Sequence, residues 1–155
     1  MGGNLPGEYD TCEALLEAAL ARFPEIGLTV VRRSSWIRSE AWPDPMAPEY
    51  ANGVAIVETD LSPWAVMGSL LELERAFGRV RSERNAPRTL DLDLIAYGRV
   101  ICREPDLVLP HPRAHERAFV MRPLAEIAPD WTHPMRGETA TVGAERLRKE
   151  HSARL

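Results

Sequence analysis

Lysine is almost missing from this chain: Lys149 stands alone among 19 Lys and Arg residues. Positive charge is therefore carried by arginine, whose planar fork of donors suits phosphate oxygens. A composition bias would give the same total, so only arginine clusters carry weight. A positive balance is missing too, and a net charge of -4 argues against a general nucleic-acid binder. Cysteine is scarce. Cys12 and Cys102 lie far apart with no CxxC pattern, which rules out a disulfide framework and makes a reducing cytoplasm the natural home. No apolar run approaches a membrane span, no charged-then-apolar stretch opens the chain, and there is no repeat or low-complexity tract. What remains is ordinary for a soluble globular protein. With 155 residues, 45% hydrophobic and 27% charged, one domain spanning 1–155 can bury a real core.

The stretch with most chemical information is Pro87-Arg88-Thr89-Leu90-Asp91-Leu92-Asp93-Leu94-Ile95-Ala96-Tyr97-Gly98. Leu90, Leu92 and Leu94 alternate with Thr89, Asp91 and Asp93, the period-two pattern of a half-buried strand. The leucines are expected to enter the core, with two carboxylates side by side on the other face, about 6–7 Å apart. Bare, they repel each other; under a cation they make sense. Mg²⁺ binds through one or two carboxylates plus substrate phosphates, and a pair of ions can clamp a phosphoryl transfer. The plainer reading is an exposed strand face on which aspartates only maintain solubility.

The rest of the chain supplies a scaffold. Gly2-Gly3-Asn4-Leu5-Pro6-Gly7 is a glycine-rich turn with no strand before it. Asp10 and Glu13 have the spacing of a capping box, and 12–23 reads as a helix with Leu15, Leu16, Ala19 and Leu20 inward, ended by Pro24. Residues 28–38 read as a strand able to carry a bulge, and 40–48, with prolines at 43, 45 and 48, as an irregular loop. Tyr50 to Thr59 is a second strand with Tyr50 and Asn52 on one side. Ser62 and Pro63 start a helix that runs to Phe77 and stops at Gly78, burying Val66, Leu70, Leu73 and Phe77. Arg79 to Arg88 is a basic loop feeding the acidic strand. A short ribbon at 100–102, a small helix near 123–128 and a closing helix around 142–150 complete the pattern. Helices packed on an antiparallel sheet give an α+β class. One more strand before Gly2 would make the order βαββαβ, which is ferredoxin-like.

Several features converge on phosphate chemistry. Arg79, Arg81, Arg84 and Arg88 crowd the loop beside Asp91 and Asp93, and His111 and Arg117 offer further contacts. Taken singly, each has a plainer reading: a charge run is usually a solvated face, and a lone histidine is more often a structural hydrogen-bonder. Tyr50 and Phe119 are ordinary core aromatics on that reading, and Asn52 a polar strand residue.

In order along the chain stand Gly2-Gly3-Asn4-Leu5, Tyr50-Ala51-Asn52, Glu74 with Gly78-Arg79-Val80-Arg81, Pro87 to Asp93, and Pro110-His111-Pro112-Arg113. This set resembles the 6-hydroxymethyl-7,8-dihydropterin pyrophosphokinases of folate biosynthesis, and the likeness runs from Gly2 to about Pro129. The resemblance implies transfer of the terminal pyrophosphoryl group of ATP to the hydroxymethyl oxygen of the pterin, with release of AMP. It implies catalytic roles for Arg84, Arg88, Asp91 and Asp93, with both aspartates holding two Mg²⁺ ions. It implies a pterin site made by Tyr50, Asn52 and Phe119, completed by Ser39, Ala41 and Trp42. It puts Glu74, Arg81, Arg88, His111 and Arg117 on the ATP side. Its partners are small molecules, with no nucleic acid or membrane, and a monomer is expected.

The chain departs from the family's pattern in three places. Asn85 stands where a tryptophan often covers the pterin, in a loop about one residue short, and Trp42 is a candidate substitute. Pro112 follows His111 where an aromatic is frequent. Met1 stands where the family's apolar first strand, running into Gly2, should end, and that strand is expected upstream of it. The alternative is an N-terminally truncated, non-catalytic pterin- or nucleotide-binding relative; a two-metal nucleotidyltransferase ranks behind both. Retention of Asp91, Asp93 and Arg88 favours an active enzyme, since a decayed one would lose them early.

Overall fold

The computed structural model describes residues 1–40, 44, 46–78 and 89–154. These form an α+β structure of short antiparallel sheets and helices, in two compact units, Met1–Asp93 and Leu94–Leu155. No helix among the described residues is long and apolar enough to cross a membrane.

In the first unit, helix α1 (Cys12–Ala21) begins where the Thr11 hydroxyl accepts the Ala14 N–H at 3.0 Å. The predicted cap at Asp10 is thus off by one residue. Glu13, its supposed partner, instead pairs with the Arg38 guanidinium, with N···O distances of 2.7 and 2.9 Å. The predicted inward residues Leu15, Leu16, Ala19 and Leu20 are buried. A 3-10 turn at Phe23–Ile26 leads into strand β2 (Thr29–Arg33) and then β3 (Ile37–Ser39).

These two strands pair antiparallel with β5 (Ala55–Glu58) and β4 (Tyr50–Asn52) respectively, with a register shift between Val30 and Arg32 where a bulge was expected. Each predicted long strand is therefore broken once. At the break, the Ser34 N–H bonds to the Val54 carbonyl while its hydroxyl accepts the Val54 N–H, both at 2.9 Å. The Trp36 ring lies so close to Gly53 that a Cβ there would sit 2.5 Å from it. The indole donates to Glu17 on α1, which also pairs with Arg33. Helix α2 (Pro63–Ala76) is capped by Ser62, as predicted, and buries Val66, Leu70 and Leu73. Phe77 is half-buried rather than in the core, stacked on Tyr9 at 6.2 Å with Arg22 over its ring at 5.7 Å.

Strand β1 (Gly2–Gly3) lies beside β4, in the order β1-β4-β3, with Gly2 opposite Asn52 and Gly3 opposite Ala51. On its other side Gly2 exchanges both backbone bonds with Asp91, at 2.9 and 2.7 Å. That exchange is the hydrogen-bonded pair of an antiparallel ladder, and it is the only rung there among the described residues. The strand expected over 89–94 is therefore corrected to a single bridge, because β1 has two residues to offer. Burial still alternates: Leu90 and Leu92 are buried, Asp91 is half-buried and Asp93 exposed.

In the second unit, strands β6 (Cys102–Glu104) and β7 (Leu107–Leu109) form a ribbon two residues later than predicted. Val100 is still part of the preceding turn, bonding back to the Tyr97 carbonyl at 3.0 Å. A 3-10 turn at Ala114–Glu116 is followed by helix α3 (Ala118–Ile127) and helix α4 (Ala140–Ala153), whose cap is Thr139. The small helix expected near 123–128 begins five residues earlier, and Pro123 lies inside α3. Val120, Met121, Leu124 and Ile127 are buried at helical spacing, and their burial offsets the proline's missing bond.

Between α3 and α4, the His133 Nδ1 accepts the N–H groups of Met135 and Arg136, both at 3.2 Å, and the ring is 6% exposed. Burial holds its pKa below the ordinary value, with the charges of His115 and Arg136 acting in the same direction and Glu138 opposing. A histidine depressed in the folded chain takes up its proton first in the unfolded chain. Stability is then full above the unfolded value and is lost as pH falls through the folded one. We expect His133→Asn, whose carbonyl can accept the same two N–H groups, to flatten the fall in melting temperature between about pH 7 and 5.5. An unchanged slope in thermal melts of the variant would remove His133 as its source.

Candidate active site

The acidic pair is positioned from below by α2. Glu74 is 1% exposed, and its Oε2 accepts the Leu92 N–H at 2.7 Å. Leu92 lies between Asp91 and Asp93, so this bond holds the peptide that links the two candidate metal ligands. Its own side chain is buried, as is that of Leu90. From the other direction the Gly2 exchange fixes the Asp91 backbone. One segment is thus secured by a buried carboxylate, two backbone bonds and two leucines, and its aspartate side chains are left on the opposite side.

The same glycine joins the acidic segment to the candidate pterin residues. Gly2 stands between Asp91 and Asn52, and a Cβ there would overlap the Asn52 Oδ1. Asn52 is 7% exposed, and its Nδ2 donates to the Ser39 hydroxyl at 3.0 Å. Tyr50 faces Ser39 across the β3–β4 ladder and shares a sheet face with Asn52. Ser39, Tyr50 and Asn52 are therefore brought together. Sequence reasoning did not single out Asn4, which is buried and donates to the Pro48 carbonyl at 3.1 Å, tying down the chain just before β4. Its place in the Gly2-Gly3-Asn4-Leu5 run was the signal available.

Electrostatically, this edge of the sheet is acidic. Burial lowers the pKa of the Met1 amino group, and Asp93, Asp91 and Glu74 all act on it in the opposite sense. Among the described residues no three His, Cys, Asp or Glu side chains form a metal cage. Two carboxylates suit a hard ion that completes its shell with phosphate oxygens and water, so the donor set fits Mg²⁺ held jointly with a nucleotide. A cavity of about 440 Å³ elsewhere in this unit, lined by Tyr9, Arg22, Phe77 and their neighbours, contains none of the candidate residues.

The second unit carries His111, Arg117 and Phe119, all half-buried. His111 follows the cis Leu109-Pro110 bond, and its N–H donates to the Ile95 carbonyl at 2.8 Å. Its Nδ1 accepts the Arg113 N–H at 3.2 Å, which leaves the proton of the neutral ring on Nε2 as a donor. The Arg117 guanidinium lies 5.6 Å from the Phe119 ring centroid, a cation–π contact between a predicted nucleotide residue and a predicted pterin residue. Ala41, Trp42, Arg81, Arg84 and Arg88 lie outside the described residues.

The family model described as 7,8-dihydro-6-hydroxymethylpterin-pyrophosphokinase matches residues 1–129. Curated relatives named 2-amino-4-hydroxy-6-hydroxymethyldihydropteridine pyrophosphokinase include those of Synechocystis sp., Methylorubrum extorquens and Haemophilus influenzae. The first is 45% identical over 140 residues, covering 90% of this chain and 69% of the relative. The second is 40% identical over 121 residues (78% and 75%), and the third 39% over 135 (86% and 82%).

Removing the Glu74 acceptor orphans a buried N–H, which costs about 1–3 kcal/mol, so Glu74→Ala is expected to lower chemical-denaturation stability by at least that much. Glu74→Gln keeps an acceptor for Leu92 and should lose clearly less. Equal losses in the two variants would show that the carboxylate charge matters and the bond to Leu92 does not.

Proposed function

The chain belongs to the 7,8-dihydro-6-hydroxymethylpterin-pyrophosphokinase family, and we propose that it transfers pyrophosphate from ATP to the hydroxymethyl group of 6-hydroxymethyl-7,8-dihydropterin in folate biosynthesis. The hydroxyl oxygen bonds to the β-phosphorus and loses its proton. The link from that phosphorus to the α-phosphate breaks, AMP leaves, and the pterin diphosphate forms. The observation that carries this reading is the pair Asp91 and Asp93 either side of an anchored Leu92, in a chain of this family.

Asp91 and Asp93 are the metal ligands in this reading. Two Mg²⁺ ions held there would supply positive charge that offsets the charge of the transferring phosphates. No covalent step is asked of the protein; its part is positioning and charge stabilisation. Arg84 and Arg88 supply positive charge to the transferring phosphates. Tyr50 and Phe119 give aromatic faces to the flat pterin. Asn52, whose amide is oriented by Ser39, reads the polar edge of the pterin, and Ala41 and Trp42 complete the pocket. Arg81, His111 and Arg117 serve the nucleotide, His111 as an Nε2 donor. Glu74 serves the nucleotide side through the backbone it holds.

The proposal extends to the setting. The chain acts as one pyrophosphokinase domain, a cytoplasmic monomer with small-molecule partners and no nucleic acid. Its sheet is ferredoxin-like, which the order Asp91, β1, β4, β3 supports by putting β1 between two partners. Intact Asp91, Asp93 and Arg88 speak against a non-catalytic relative.

A coupled assay of AMP release, with ATP, Mg²⁺ and the hydroxymethyl dihydropterin, tests the reaction. Activity is expected, and its absence in folded protein would overturn the reading. Asp91→Ala and Asp93→Ala should each lower kcat/KM on the order of 10³-fold or more, with melting temperatures close to the parent's. Should either keep the parent rate, the metal assignment is wrong.

A further inference from the structure

We propose that Arg146, in the C-terminal helix beyond the residues matched by the family model, is a positioning residue for the nucleotide turn 111–117. This inference rests on the reading above that His111 and Arg117 contact ATP. Arg146 grips Glu138 with two bonds, from Nε and Nη2, each 3.0 Å. The same Nη2 donates to the His115 carbonyl at 2.8 Å. Glu138 and Arg146 are mostly shielded from water, with side-chain exposures of 16% and 27%. The fork accordingly holds the carboxyl of Glu138 below its usual range and raises the guanidinium further. A bidentate pair of this kind orients the guanidinium and leaves the second N–H of Nη2 aimed at one carbonyl.

That carbonyl sits in the middle of the turn. Within it the Ala114 N–H bonds to the His111 carbonyl at 3.2 Å, Glu116 to Arg113 at 3.0 Å, and Arg117 to Ala114 at 3.1 Å. The Arg117 carbonyl in turn accepts from Val120 and Met121 in the first turn of α3. His111 and Arg117 are thus the two ends of one hydrogen-bonded turn, and Arg146 fixes its centre. Glu138 is itself held: its carbonyl accepts the His133 N–H at 2.9 Å, and α4 begins two residues later. The segment after residue 129 therefore acts as a bracket that sets where the two nucleotide groups stand.

The test combines steady-state kinetics with amide hydrogen exchange on the full chain, for Arg146→Ala, Arg146→Lys, His111→Ala, Arg117→Ala and the Arg146→Ala/His111→Ala double variant. Arg146→Ala should raise KM for ATP about tenfold, the size expected for losing a charge-assisted bond, and leave KM for the pterin within about twofold. Arg146→Lys should recover part of the loss, and it carries the kinetic test if the alanine variant does not fold. In the double variant the effect of Arg146→Ala should shrink, since part of it acts through His111 and the rest through Arg117. Exchange at Ala114, Glu116 and Arg117 should quicken without a matching change in α2. If His111→Ala and Arg117→Ala both leave KM for ATP unchanged, the nucleotide reading falls and the inference falls with it. If they raise it while the Arg146 variants do not, or if the effects add in full, or if exchange in the turn is unaltered, the bracket alone is overturned.

Discussion

A single hydrogen bond from a buried carboxylate to a backbone amide carries much of this structure's chemistry. Glu74 accepts the N–H of Leu92, and Leu92 is the residue between the two aspartates. A carboxylate 1% exposed is expensive to bury, so its presence beneath the acidic segment needs a return. The return is a rigid peptide under Asp91 and Asp93. The Gly2 exchange adds two bonds on the neighbouring peptide. A site that works by placing cations and phosphates has little use for reactive side chains and great use for such fixed ligands.

The second unit follows the same logic with different chemistry. There an arginine–carboxylate fork fixes a short turn whose ends are His111 and Arg117. Both devices put charge on backbone rather than on substrate. Both leave the groups proposed for ligand contact at half-buried or exposed positions, where they can meet a bound nucleotide. Preorganisation of this kind lowers the ordering that binding would otherwise require.

Much of this was legible in the residues. The helix faces, the Ser62 cap, the bulge in β2 and the alternating burial of 90–93 follow from local pattern. Others failed for identifiable reasons. Thr11 and Asp10 are both good caps, and one residue of displacement lies within what spacing can resolve. The small helix expected near 123–128 starts earlier, at Ala118, because the buried stripe from Val120 to Ile127 carries it through Pro123. Leu90 to Leu94 reads as a strand because side-chain alternation does not say how many partners the backbone has; β1 supplies one rung. The candidate site residues could be named from sequence. The bonds that orient them could not, because Glu74 to Leu92, Asn52 to Ser39 and Arg146 to His115 join residues 18, 13 and 31 apart. Tertiary packing sets such pairs, and no periodicity announces them.

The central claim is that Asp91 and Asp93, held on an anchored peptide, are the groups through which the chain takes metal together with ATP. Mn²⁺ is a spectroscopically visible substitute for Mg²⁺, so electron paramagnetic resonance titration in the presence of a non-hydrolysable ATP analogue reads the site directly. The account predicts two Mn²⁺ bound per chain in a nucleotide-dependent way, with loss of that binding in Asp91→Ala and Asp93→Ala. Binding that is unchanged in both variants would contradict it.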